Sequence, residues 1–411
     1  MSASPPPSVL QLTPLNPAFR DDPHAVLRPL RENHPVIRDE TAGTFMLSCY
    51  EDVRAVVTDL TMHRDGLKAE PAAVLARRVR EERAAGVVDR GGGPSILMID
   101  DPDHARIRGP LSQALYKRVA RCRGQVEAVV DGALDALTGR DGFDLMADFA
   151  LPIPIDAIAR ILGVDPARLG EFRDWSEGVI QSLNPLRTPA QTEHLVRAGN
   201  ALGDYMHALI AARRAKPADD LVSDMVALQA AGSPLTDAEI ATNLNALLVG
   251  GNLTTTDLIG NGVRLFLTHP DQLAALRADP SLIGATVEEI LRYEPPVDIT
   301  GRIASKDFEV RGCPIKATQS MFLHLRAANR DPAAFDNPEA FDITRKKVPH
   351  VAFGGGAHIC IGAPLARMEA QVALLKLFDR FANIRLANPD MPPVWRSLPF
   401  FRGLERLDVL V

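Results

Sequence analysis

The chain has 411 residues, 46% of them hydrophobic, and a formal net charge of −6. That is ample for a large core, as one big unit or as two or three domains, and the acidic balance does not suggest a nucleic-acid partner. Four cysteines, Cys49, Cys122, Cys313 and Cys360, form no CxxC pair in a chain too long to be a disulfide scaffold, so a reducing cytoplasm is expected.

The opening MSASPPPSVLQLTPL has no basic region followed by an apolar run, and reads as a proline-rich surface arm over 1–15 rather than a signal peptide. Short strands are expected near 35–39 and 44–48, then a polar, Gly-rich insert over 66–98. Helical periodicity dominates from there, over 102–138, 145–163, 165–182, 189–215, 219–231, 236–268, 270–277 and 285–293. Strand-like pieces follow at 308–316 and 320–323, an irregular passage at 329–353, a helix at 364–381, and strands at 383–387 and 406–411. A loop as long as 329–353 is usually functional or pinned to something. No polar linker divides the chain, so a single domain is expected over 16–411. No uncharged apolar run approaches the ~18 residues a membrane span needs.

Three stretches carry chemistry. In VAFGGGAHICIGAPLAR (351–367), Gly354, Gly355, Gly356 and Gly362 permit positive φ and close backbone approach, while Ala363 and Pro364 suit a helix start. Cys360 therefore lies just ahead of a helix N-terminus, where unpaired N–H groups stabilise a thiolate. As a nucleophile it would use His358 as base, leaving the glycines unexplained. A zinc site lacks three further ligands. A haem needs no other axial protein ligand. A buried core cysteine in a Gly-rich turn is the remaining option.

The second stretch, TDAEIATNLNALLVGGNLTTTDLIGNGVRLFLTHP, has a capping box at Thr236 and Glu239 and ends before Pro270, implying one helix of about thirty residues. Its central GGNLTTT weakens it, since each glycine costs about 1 kcal/mol relative to alanine. Tight helix packing, close approach of another group or a local bulge explains that. The third group comprises ion pairs: Glu289 and Arg292 in EEILR, three apart, and His104 and Arg108 in DPDHARIR, four apart. Thr286 and Glu289 also read as a capping box, and Gly109–Pro110 predicts a kink.

FGGGAHICIG resembles the F-G-x-G-x-H-x-C-x-G signature of the cytochrome P450 family at every fixed position, and the likeness extends from about residue 15 to 411. It implies a mainly α fold with small peripheral β-sheets, built around haem b. Cys360 would be the iron ligand. Phe353, Gly354, His358, Ile359 and Gly362 would border the haem, with His358, His104, Arg108 and Arg302 on its propionates. Glu289 and Arg292 match the family's E-x-x-R helix, and Arg345 the third member of its buried network. GGNLTT matches the oxygen-activating A/G-G-x-D/E-T-T: Gly250 and Gly251 over the haem, Thr254 organising proton delivery, Thr255 beside it. Leu253 stands where the family has an acid, so either the proton route differs or the coupling of electrons to product is poor.

The resemblance further implies a monooxygenase that inserts one atom of dioxygen into a small or mid-sized hydrophobic substrate, with electrons from a separate ferredoxin and reductase. Lys117, Arg118, Arg121, Arg123, Lys346 and Lys347 are candidates for the ferredoxin surface. The expected pocket draws on 66–98, on 179–190, on the helix near Leu247 to Gly251, on 297–300 with Val297, Asp298 and Ile299, and on Phe400 and Phe401. Asp298 either anchors a substrate amine or hydroxyl, or accepts from backbone donors in its turn. Leu253 leaves open a peroxide-using enzyme. A non-catalytic haem or ligand-binding protein is the other alternative.

Overall fold

The computed structural model describes residues 6–84, 92–184 and 186–411. Two compact units emerge, each from non-consecutive stretches: Met1–Arg80, Asp257–Cys360 and Ile384–Leu410 form the first, and Glu81–Thr256 with Ile361–Asn383 and Val411 the second. Residues 1–5 of the proline-rich arm and 85–91 of the insert lie outside the described residues.

The first unit holds a four-stranded sheet. Val36–Asp39 pairs antiparallel with Thr44–Leu47, which runs parallel to Ser320–His324, itself antiparallel to Ile299–Ile303. All five residues of Ser320–His324 are buried, as a central strand requires. One core cluster joins Phe45, Leu47, Val53 and Val57 to Met321, Leu323 and Val351. The 308–316 stretch is a small hairpin, Phe308–Val310 against Cys313–Ile315. The expected arm is not loose throughout: from Val9 the chain is packed down, with Leu12 and Thr13 fully buried. The insert is also more regular than expected, containing the helix Val74–Ala84.

A buried charge cluster organises this unit. Arg326 is fully buried and donates through Nε to Asp298 Oδ1 at 2.5 Å, through Nη1 to Glu294, and through Nη2 to the Pro295 carbonyl at 2.6 Å. Arg402 Nε also reaches Glu294 Oε1, at 2.9 Å. Two carboxylates thus balance two guanidinium groups, the condition for tolerating buried charge. Burial alone would push the Glu294 carboxyl up; Arg326 and Arg402 outweigh it and hold it at about 2. Next to Arg326 in the chain, His324 is fully buried with neither ring nitrogen hydrogen-bonded among the described residues. Burial, then Arg326, lowers it to about 3.

The second unit is mostly helical. Its caps are those the sequence offers: Thr188 and Gln191 close a capping box on Pro189–Ala215, and Asp220 Oδ1 accepts from Ser223 N at the start of Leu221–Ala230. Leu169–Val179 crosses Pro189–Ala215 closely at Gly178, where a Cβ would lie 2.5 Å from that of Ala198. Ala363–Arg380 packs on Arg123–Asp135, with Lys376 Nζ 2.7 Å from Asp131 Oδ1. The run expected over 102–138 divides into Asp103–Val119 and Arg123–Asp135. It does not break at Gly109–Pro110; Asp103–Val119 continues through Pro110. Gly109 has no Cβ to clash with the proline ring, which lifts the usual restriction on the preceding residue.

Two outcomes test these energetics. As pH falls from about 6.5 toward 3, an unfolded His324 binds a proton and the folded one does not, so stability drops by ~1.4 kcal/mol per pH unit from this residue. Denaturant titrations at several pH values should show a shallower slope for His324→Phe than for wild type; equal slopes refute the assignment. Asp298→Ala, which leaves Arg326 under-compensated, should lower the unfolding free energy by about 3–5 kcal/mol. Glu177→Ala, at an exposed pair with Arg173, should leave the midpoint unmoved.

Candidate active site

Cys360 is exposed, whereas Cys49 and Cys122 are buried and Cys313 is intermediate. Its N–H donates to the Phe353 carbonyl at 3.0 Å, closing the loop back on itself. Gly354 and Gly356 have φ of 68° and 64°, the left-handed region that favours glycine. Gly355 is needed for a different reason: a Cβ there would lie 2.9 Å from the side chains of Val57 and Thr58. At Gly356 it would lie 2.9 Å from the Val57 carbonyl. The loop is therefore pressed against the end of the helix Tyr50–Thr58. Arg302, 3% exposed, ties the two together, donating to Val57 O at 3.3 Å and Gly355 O at 3.4 Å, and to Gly301 O at 2.8 Å. Phe353 lies beside His350, ring centroids 6.0 Å apart, and His350 Nε2 meets Glu288 Oε2 at 3.1 Å.

Glu289, Arg292 and Arg345 come together as the pattern suggests. Glu289 and Arg292 are fully buried and bidentate at 2.7 Å, and Arg345 Nε reaches Glu289 Oε1 at 3.1 Å. The two arginines donate to the carbonyls of Asn329, Asp336, Asn337, Pro338 and Ala340, and Glu289 accepts from Asp342 N at 2.9 Å. The irregular 329–353 passage is thereby pinned by side chains in place of a backbone ladder. Thr286 caps nothing: it lies inside Ile283–Tyr293, so the capping-box alternative for Glu289 does not apply.

In the second unit, His104 and Arg108 share one face of Asp103–Val119. His104 is buried, its Nδ1 3.6 Å from Asp101 Oδ1, and burial, then Arg108, lowers its pKa. A neutral imidazole still offers one N–H donor. Asp237–Thr268 is one continuous helix starting after the expected capping box: Glu239 N donates to Thr236 Oγ1 at 3.2 Å and Thr236 N to Glu239 Oε2 at 2.8 Å. Tight helix packing does not explain its glycines. A Cβ at Gly250 would meet nothing within 4 Å, and at Gly251 it would come only to 3.8 Å from Ile158. Thr254 Oγ1 donates to Gly250 O at 2.8 Å, leaving its lone pairs to accept. Leu253 is half-buried and Thr255 buried.

Of the expected pocket residues, five come together in the first unit. Val297 bridges Phe401, Asp298 N donates to Phe400 O at 2.8 Å, and Ile299 starts a strand. Leu247 is on the long helix. Asp298 is fully buried, and its side chain meets Arg326 rather than backbone donors. Sequence reasoning missed Arg326, Glu294 and Arg402. The available signal was an arginine inside the apolar run MFLHLRAA.

The donor set fits a haem. Among the described residues no group of three or more His, Cys, Asp or Glu side chains is placed to hold a metal ion, and Cys360 is exposed on its glycine-shaped loop. In the first unit, Arg302 offers a guanidinium close to the loop, donating to Gly355 O.

The comparisons agree. The profile of "Cytochrome P450" matches residues 179–394. "Cytochrome P450 107B1" of Saccharopolyspora erythraea is 37% identical, over 98% of either chain. The "6-deoxyerythronolide B hydroxylase" of the same organism is 34% identical, over 95% of this chain and 96% of its own. Among solved structures, P450BioI in complex with hexadec-9Z-enoic acid ligated acyl carrier protein superposes with a TM-score of 0.85 at 32% identity, covering 96% of this chain and all of that one. With the cysteine loop, the buried Glu289–Arg292–Arg345 network and similarity along nearly its whole length, the chain belongs to the cytochrome P450 family.

Proposed function

We propose that this cytochrome P450 monooxygenase holds haem b through Cys360 and oxygenates a small or mid-sized hydrophobic substrate, with electrons from a separate ferredoxin and reductase. The observation that carries the reading is the exposed thiol of Cys360, presented by a loop whose shape Gly354, Gly355 and Gly356 fix. When bound, the haem supplies the iron chemistry that activates dioxygen, and a thiolate ligand favours O–O cleavage. His104, Arg108, Arg302 and His358 would hold the propionates; Phe353, Ile359 and Gly362 would border the ring. Gly250 and Gly251 leave room beside the long helix, and Thr254 would accept and pass on a hydrogen bond there. Leu253 can neither give nor take a proton, so the proton route differs from one through an acid at that position, or electrons couple poorly to product.

Val297, Ile299, Leu247, Phe400 and Phe401 would face substrate, an apolar lining suited to a hydrophobic molecule. Asp298 is better read as structural, since Arg326 already takes its charge. The ferredoxin surface would be narrower than the sequence suggests. Arg118 is spent on Asp224, at 2.5 Å, and Asp219, at 3.0 Å, and Arg123 on Glu127, at 3.0 Å. Lys117, Arg121, Lys346 and Lys347 are exposed and complement an acidic ferredoxin. No helix among the described residues is long and apolar enough to cross a membrane, in keeping with a cytoplasmic enzyme.

Cys360→Ser should abolish the thiolate-specific Soret band of the ferrous carbon monoxide adduct while the fold persists by circular dichroism; a retained band refutes Cys360 as ligand. Thr254→Ala should lower product formed per reductant consumed, by on the order of tenfold or more, and Leu253→Asp should raise it. Turnover with hydrogen peroxide but none with ferredoxin and reductase would establish the peroxide-using alternative instead.

A further inference from the structure

One buried amide does more than its place in a helix requires. Asn243, 1% exposed, accepts through Oδ1 from Ile96 N at 2.8 Å. Through Nδ2 it donates to Pro94 O at 3.1 Å and Glu239 O at 2.8 Å. Gly93 N adds a bond to Ala238 O at 3.2 Å, and a Cβ at Gly93 would lie 2.7 Å from Glu239 N. Segment 92–96 is thus laid flat on the first turns of the long helix. Glu239 is fixed in turn by Arg106, whose Nη2 donates to its Oε1 at 2.5 Å.

Two features connect this clasp to chemistry. Asn243, Leu247, Gly250, Gly251 and Thr254 stand at offsets of 0, 4, 7, 8 and 11 along the helix, one stripe at 3.6 residues per turn. Immediately after the pinned Ile96, a turn closed by Met98 N on Ser95 O at 2.9 Å presents Leu97 and Met98, 38% and 37% exposed. Large apolar side chains exposed one and two residues after the pinned Ile96 are suited to touching an apolar ligand.

The geometry points to Asn243 as a positioning residue for substrate selection: it fixes where Leu97 and Met98 stand at the near end of the Thr254 stripe, and so limits the size of molecule admitted. This rests on the monooxygenase reading of that stripe. It does not touch the reacting atoms; it acts through the backbone of 94–98.

The haem-loaded full chain tests this with two readouts. In Asn243→Ala, hydrogen exchange at the Ile96 amide should accelerate by about tenfold or more, because its acceptor is gone. The second readout is the Soret shift on binding N-methyl-, N-butyl- and N-octylimidazole. The ratio of octyl to methyl affinity should rise by about tenfold in Asn243→Ala. It should rise also in Gly93→Ala, which displaces the same segment without altering the amide. Unchanged Ile96 exchange in Asn243→Ala overturns the pin. Faster exchange with an unchanged affinity ratio in both variants overturns the role in selection. A wild-type protein that binds none of the imidazoles overturns the monooxygenase reading and this inference with it, and is recognised by the absence of any Soret shift.

Discussion

Buried charge, closely paired, is what the first unit depends on. The passage 329–353 has no helix or strand of its own to satisfy its carbonyls, and carbonyls buried without partners are costly. Arg292 and Arg345 supply the missing donors. A guanidinium has five N–H groups in a rigid fork, and each of these two serves several carbonyls while keeping a carboxylate. Glu289 is the common counter-ion: without it two cations would be buried together, and with it the irregular passage gains a fixed course leading to Phe353 and Cys360.

A second such centre, Arg326 with Glu294, Asp298 and Arg402, does the same for the turn that carries Val297 and Ile299 and for the stretch that carries Phe400. The apolar side chains assigned to substrate are thus oriented by polar atoms directly behind them. Division of labour between an apolar lining and a charged support reconciles a hydrophobic ligand with a precisely held site.

Much of this was legible in the residues. The capping box at Thr236 and Glu239 announced the long helix, and the glycines around Cys360 announced a tightly turned loop ahead of the helix Ala363–Arg380, because both depend on local chemistry at fixed spacing. Glu289, Arg292 and Arg345 were found through resemblance, since nothing local says that Arg345 returns to a carboxylate 56 positions earlier. Arg326 and Asn243 were missed because decisive partners come from distant stretches, Asp298 and Glu294 for the one and Pro94 and Ile96 for the other. The loop glycines were half understood. Positive φ was expected; the approach to Val57 and Thr58 was not, because it depends on which helix end happens to lie beneath.

The seating of Gly355 and Gly356 on the end of Tyr50–Thr58 bears on which substitutions the loop tolerates. Its curvature is set by contacts within the polypeptide, Arg302 among them, and a packed contact gives way from either side. Enlarging Val57 or Thr58, far away in the sequence, would displace the segment that carries Cys360 as surely as replacing one of its glycines.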